Sequence, residues 1–239
     1  MSGARELVAV EPFAAEPSQD AARERTLVER YRQMAHEFRP GPVDRALRVL
    51  DVLGGGALLM VASPVLLACA LVVLVTSGRP LFYRGSRVGR NGHLFVMYKL
   101  RTLRADAETR LEPFLGPELT QLTSSELTGV GRLLRAGKLD ELPQLWNVVR
   151  GDMSLVGPRP IRPAFFEELC ATIPAYWQRL VVRPGMTGLA QLRLSREMTW
   201  EEKLAHDFEY IADRSPSLYA GVLAQTAAML MARLLGRET

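Results

Sequence analysis

The chain has 239 residues, a formal net charge of +4 and a pI near 9.3, with 48% hydrophobic residues. That length builds one domain with an appendage, and the basic excess suits anionic partners (phosphates, acidic lipids, nucleic acid) without choosing among them. Two distant cysteines, Cys69 and Cys170, and three histidines in no common motif argue against a disulfide framework and a zinc site.

Residues 1–41 form an N-terminal extension. Met1 to Asp20 mixes acids, Pro and Ala with no apolar core, so it reads as disordered and not as a signal peptide. Ala21 to Phe38, with Leu27, Tyr31 and Met34 at helical spacing, predicts a surface helix that Pro40-Gly41-Pro42 ends. Residues 42–79 form a membrane segment. From Val52 to Val75 no residue is charged, a run of 24 positions, against the ~20 needed to span a bilayer. A buried core helix is the alternative, because Gly54, Gly55 and Gly56 dilute the apolar start. Ser63-Pro64 near the middle predicts a kink: Pro64 cannot donate to the carbonyl of Met60, and the Ser63 hydroxyl is placed to satisfy a freed group. Arginines flank the run on both sides, Arg45 and Arg48 before it, Arg79, Arg84, Arg87 and Arg90 after it. Positive flanks mark the cytoplasmic side. A helix that enters and leaves by one leaflet resolves the conflict; so does a single span followed by a folded outer domain. The re-entrant form is the preferred reading.

Residues 80–239 read as a cytosolic catalytic domain. Leu81–Arg84 and His93–Leu100 predict a β-hairpin, with Asn91-Gly92 as a turn signal between them. Ala105–Leu115 predicts a helix ended by Gly116-Pro117, and Gln121–Gly129 a polar loop. Short helices follow at Gly131–Ala136 and Leu142–Val149, then a rigid non-helical track at Ser154–Pro163. Ala164–Val182 predicts a helix broken near Pro174, Arg183–Gly188 a turn, Thr199–Ala212 a helix, and Leu218–Leu235 an interfacial or core-packing amphipathic helix. The fold class is mainly α with a small β-hairpin (α+β), a re-entrant membrane helix and a cytosolic catalytic domain. Strand–helix alternation of the doubly wound kind is absent from the pattern.

The chemistry concentrates in two stretches. Lys138-Leu139-Asp140-Glu141-Leu142-Pro143 sets two adjacent carboxylates at a helix entrance. By themselves these residues suit helix capping, with Asp140 as cap and Glu141 complementing the dipole. Neighbours on a helix point ~100° apart, so two such carboxylates converge only at the helix entrance, where phosphate is also favoured. Gly151 to Pro160 ends in Arg159 held between two prolines, a restrained guanidinium suited to a phosphoryl oxygen, or to a nearby carboxylate. Arg183 stands before a Pro-Gly turn, and Arg132 and Arg135 add positive charge upstream of Asp140. Walker and dinucleotide-binding patterns fail, which excludes ordinary NTPase and dinucleotide readings.

Taken together, the segments resemble the monotopic phosphoglycosyl transferases, the bacterial sugar transferase family whose members are polyprenyl-phosphate hexose-1-phosphate transferases. The matching pieces are the Asp51 helix with Ser63-Pro64, Arg87 to Gly92, Tyr98 to Thr102, Leu139 to Leu145, Arg150 to Pro160 and Arg183 to Gln191. The resemblance implies a membrane helix broken at Ser63-Pro64 and re-entrant. It implies Asp140 and Glu141 as a catalytic dyad that holds Mg²⁺, with Glu141 open to a second role as the base that assists deprotonation of the lipid phosphate, and Arg135, Arg159, Arg183 and Arg196 as phosphate-binding residues. It implies transfer of a hexose-1-phosphate from a UDP-sugar to undecaprenyl phosphate through an aspartyl-phosphosugar intermediate, with release of UMP, to start extracellular polysaccharide or glycoconjugate assembly. The expected place is the cytoplasmic face of the bacterial inner membrane, with membrane lipids as further partners; homo-oligomerisation stays open. Two departures stand out: Glu126 where the family usually has Arg, and Leu192 to Arg196 in place of the family's Val-Asn/Ser-Gly-Arg, where Arg193 or Arg196 can substitute for the missing Arg. A water-using phosphohydrolase and an inactive scaffold are the rivals. No nucleic-acid partner is expected, because the arginines are not interleaved with stacking aromatics.

Overall fold

A computed structural model describes residues 26–31, 40–111, 116–193 and 198–235. Helix α1, Pro42–Ser77, is 36 residues long and dominates the first third of the chain. One stripe of it meets the rest of the molecule at helical spacing. Leu47, Asp51 and Gly55 are buried at its start, Leu59 and Ala62 are partly buried on the main core, and Ala70 and Val73 are buried at its end. The opposite face is apolar and open, with Met60, Val61 and Val75 each 77% exposed. Only 11% of its most apolar 18-residue window is buried. A core helix would show the reverse, so α1 is a membrane-associating helix by length and composition.

The expected break at Ser63-Pro64 does not interrupt the helix, which runs from Pro42 to Ser77 with Pro64 inside it. The Ser63 hydroxyl donates to the carbonyl of Met60 at 2.7 Å. This is the acceptor that Pro64 cannot serve, so the turn stays hydrogen-bonded across the proline. At the far end Arg101 takes the carbonyls of Ser77, Gly78 (2.9 Å) and Arg79 (2.8 Å). A buried guanidinium thereby satisfies the orphan acceptors of the helix C-terminus.

The hairpin is present and longer than expected. Strands β1 (Phe82–Val88) and β2 (Leu94–Leu100) pair antiparallel in the register Phe82↔Leu100 to Val88↔Leu94. The turn between them carries Asn91 at φ 57° and Gly92 at φ 80°, left-handed positions that these residue types take readily. Helix α2 (Ala107–Leu111) is followed by α3 (Gly116–Ser125). The expected stop at Gly116-Pro117 is therefore a start, and the expected loop at Gln121–Gly129 is largely helix. Proline is favourable in a first turn, and the hydroxyls of Ser124 and Ser125 donate back to the carbonyls of Gln121 and Leu122.

Next come α4 (Gly129–Ala136), a 3-10 turn at Leu139–Glu141, α5 (Gln144–Arg150) and strand β3 (Ser154–Val156). Helix α6 (Pro163–Thr172) gives way at Pro174 to a 3-10 stretch, Pro174–Val181. Strand β4 (Gly185–Thr187) pairs parallel with β3 where a turn was expected. Three residues carry too little alternation to reveal a strand, and Pro184-Gly185 reads locally as a turn. Helices α7 (Leu189–Leu192), α8 (Trp200–Asp213) and α9 (Pro216–Leu234) complete the chain. Helices with small two-stranded sheets agree with the mainly α, α+β class.

The main core gathers Leu47, Phe95, Met97, Leu145, Val148, Met153 and Tyr219, so α1, β2, α5 and α9 share it. A second cluster forms around Phe166, Tyr176 and Trp177, and Leu27 and Tyr31 are buried in it. The described part of the expected surface helix, 26–31, is thus anchored by its apolar side; Met34 and Met1–Asp20 lie outside the described residues.

Candidate active site

The dyad sits where two short helices are forced apart. Gly137 ends α4, and Lys138 adopts φ 54°, a left-handed conformation that is uncommon for a side chain of its size. This turns the chain so that Leu139–Glu141 form a single 3-10 turn before α5. The capping role open to Asp140 is not taken: neither the 3-10 turn nor α5 has a side-chain cap. Asp140 is instead buried, at 5% exposure.

Asn147 fixes this region to the hairpin. Its Oδ1 accepts from Tyr98 N at 3.1 Å, and its Nδ2 donates to Val96 O at 2.7 Å and to Asp152 at 3.0 Å. Helix α5 thereby occupies the free edge of β2, satisfying backbone groups that a third strand would otherwise bond. The neighbouring Lys99, on β2, reaches Glu141 Oε1 at 2.8 Å. Arg135 is oriented by Nε donation to Thr102 Oγ1 at 2.9 Å, and Arg159 by donation to Gln191 Oε1 at 3.2 Å. Below Arg159, the buried Arg179 donates to its carbonyl at 2.9 Å and pairs with Asp207 at 2.8 Å.

The two carboxyls are pushed apart electrostatically. Burial raises the pKa of Asp140 and the charge of Glu141 adds to that, while Lys99 and Arg135 oppose it; the outcome is a raised pKa. Burial also acts upward on Glu141, but the Lys99 ammonium, its hydrogen bond, and Arg159 more than offset it, so Glu141 is held below the ordinary carboxylate range.

A cleft of about 880 Å³ opens over the dyad. Arg135, Arg159, Lys99 and Lys138 line it, together with Arg84, Arg87, Arg101, Arg104 and Arg162. Nine cationic side chains against three carboxylates, Asp106 being the third, make it a receptacle for a polyanion. A second, mostly apolar groove of about 760 Å³ runs from Leu58 and Ala62 of α1 along Leu142, Ile161 and Met186 to Leu230 and Arg233 of α9. Lys138, Glu141 and Arg159 line both spaces.

Of the site residues expected from the sequence, Asp140, Glu141, Arg135 and Arg159 come together in the cleft. Arg183 is elsewhere. Its Nε donates to Gly151 O at 2.9 Å, and it borders a small recess with Arg48 and Asp51. Arg196 lies outside the described residues. Arg193, considered as a substitute, is ion-paired to Glu209 and absent from the cleft wall. Glu126, the other departure, pairs with Arg110 at 2.8 Å. Lys99 and Thr102 join the site through the fold, beyond the residues that the sequence marks as catalytic or phosphate-binding. The clue to Lys99 was strand alternation, which places it on the β2 face opposite Tyr83.

Among the described residues no three His, Cys, Asp or Glu side chains converge as a preformed metal site. The donor set nonetheless fits Mg²⁺, which is commonly held by one or two carboxylates and completed by substrate phosphates and water. Asp140 and Glu141 are the residues that would hold it.

This chain belongs to the bacterial sugar transferase family, whose profile matches residues 43–233. It is similar to the UDP-glucose:undecaprenyl-phosphate glucose-1-phosphate transferase of Caulobacter vibrioides, 42% identical over 176 residues, which are 71% of this chain and 63% of that protein. It is also similar to the UDP-N-acetylgalactosamine-undecaprenyl-phosphate N-acetylgalactosaminephosphotransferase of Aeromonas hydrophila, 34% identical over 188 residues, covering 77% of this chain and 43% of that protein. The exopolysaccharide production protein PSS of Rhizobium leguminosarum bv. phaseoli is 36% identical over 179 residues, 70% of this chain and 86% of its own. The chain therefore spans less than two thirds of the first two of these relatives.

Proposed function

We propose that this protein transfers a sugar phosphate from a UDP-sugar to undecaprenyl phosphate for polysaccharide assembly, with Asp140 as the nucleophile. The observation that carries the reading is the meeting of the two spaces: a cationic cleft and an apolar groove share Lys138, Glu141 and Arg159. A water-soluble diphosphate and a lipid phosphate need such opposite surfaces with one reacting point between them. The names of the relatives supply the substrates.

In the first step an Asp140 oxygen attacks the β-phosphorus. The bond from that phosphorus to the bridging oxygen breaks, and UMP leaves with the oxygen. In the second step an oxygen of the lipid phosphate attacks the same phosphorus, the bond to Asp140 breaks, and the carboxylate is restored. Splitting one transfer into two displacements is the use of a carboxylate nucleophile. Arg135, Lys138 and Arg159 position the phosphoryl oxygens and offset their charge. Bound Mg²⁺ would supply further charge neutralisation on the diphosphate. Glu141, held ionised by Lys99, is a weak base and acts through charge and orientation instead of proton removal.

The protein then works at the cytoplasmic face of the bacterial inner membrane, with α1 dipping into one leaflet. The support for one-leaflet insertion is that the start and the end of α1 both pack on the same body. The test is UMP release from a UDP-sugar by purified protein with Mg²⁺, with and without undecaprenyl phosphate, followed by mass spectrometry of the peptide holding Asp140. A phosphosugar adduct on Asp140 and lipid-dependent turnover are expected. Steady UMP release without lipid would instead identify a hydrolase.

A further inference from the structure

Strand β1 alternates, so Tyr83, Gly85 and Arg87 share one face, and the register sets Lys99 opposite Tyr83 on that same face. The Tyr83 ring lies across Gly85: a Cβ there would meet the Tyr83 hydroxyl at 2.0 Å. That hydroxyl lies 3.4 Å from the Arg87 guanidinium, which also donates to Ser86 O at 2.7 Å. Arg87 is 9% exposed, and its hydrogen bonds within the described residues go to these neutral oxygens.

The surroundings of Arg87 add more positive charge. Val88 N donates to Ile161 O at 3.0 Å in an isolated antiparallel bridge, which sets Arg162 directly across from Arg87. Arg159 stands two residues before Ile161, and all three arginines line the cleft. Burial, and then Arg162 and Arg159, push the Arg87 pKa down against the favourable effect of Tyr83. Like charges facing each other across strands oppose folding, and a cation taken from water without an anion is costly. A buried guanidinium like that of Arg87, bonded only to neutral oxygens among the described residues, is kept when a ligand neutralises it, and its fork matches phosphate.

The geometry points to Arg87, flanked by Arg159 and Arg162 and propped by Tyr83 over Gly85, as the seat for the nucleotide-side phosphate of the donor, the one that departs as a nucleoside monophosphate. The inference rests on the transferase reading and deepens it. The lipid phosphate is the weaker occupant, because of these three arginines only Arg159 also lines the apolar groove.

The test measures UMP and uridine binding by calorimetry on detergent-solubilised protein, using wild type, Arg87→Met and Arg87→Lys. UMP carries no sugar phosphate to transfer, so binding is read without turnover. Arg87→Met should weaken UMP at least tenfold and leave uridine unchanged, and its ligand-free melting temperature should hold or rise, since a buried repulsion is removed. Should Arg87→Met not fold, Arg87→Lys, which keeps the charge without the fork, should still lose several-fold in UMP affinity. UMP binding within twofold of wild type in the folded variant overturns the inference. If wild type releases UMP from UDP-sugars while that variant binds normally, only this inference fails. If wild type neither binds UMP nor turns over any UDP-sugar, the transferase reading fails with it.

Discussion

Lys99 reaches Glu141 at 2.8 Å and leaves Asp140 buried beside a negative charge. An ionised group whose pKa is raised on folding lowers stability as pH climbs from its unfolded pKa through the folded one, and the cost persists above both. Asp140→Asn removes that cost at neutral pH. Its melting temperature should therefore equal or exceed that of wild type by calorimetry, while UMP release falls by about 10³-fold or more, the scale of losing a nucleophile. Lys99 lowers the pKa of both carboxyls. Lys99→Met should therefore move the acid limb of the pH–rate profile to higher pH, because Asp140 then needs less acid to be protonated. A limb that stays in place would exclude Lys99 from setting the charge of Asp140.

Elements differ in how much of themselves they show in sequence. Helix α1 was legible from its uncharged run, and the hairpin from Asn91-Gly92, because length and turn chemistry are local signals. Strand β4 and helix α3 were not. The first is defined by its hydrogen bonds to β3, and the second keeps its serines helical by back-bonding that composition alone does not reveal. The dyad was legible as two letters, but its asymmetry was not, since Lys99 lies 42 positions away and meets Glu141 only through the fold. The place of Arg183, bonded to Gly151 O beside Arg48 and Asp51 and outside the cleft wall, likewise depends on contacts that its Pro-Gly turn does not reveal. Packing between elements yields its own prediction. A Cβ at Gly55 would stand 2.9 Å from Val148 Cγ1. Gly55→Val should push α1 off α5 and cost about 1–3 kcal/mol, read as a lower melting temperature in detergent.

For the whole molecule, the question is which side of the bilayer holds each end of α1. Arg48 near its start donates to Val148 O and Val149 O at 2.7 and 2.8 Å, and Arg101 holds its final carbonyls. Both ends are thus tied by arginines to the same body. In intact bacteria, single cysteines placed at positions 43 and 79 of a variant lacking Cys69 and Cys170 should both resist a membrane-impermeant thiol reagent and both react after lysis. Labelling of one end from outside would mean that the helix crosses.

The Asp51 carboxylate, in the N-terminal half of that same helix, accepts from Ser154 Oγ, Leu155 N and Tyr219 OH at 2.7, 2.9 and 2.8 Å. Those donors are synthesised 103, 104 and 168 residues later. Until those donors are made, the Asp51 carboxylate of the nascent helix lacks the three partners that it has in the fold. Until the ribosome has released Tyr219, that set is incomplete, so a segment made 168 residues later completes the seating of α1.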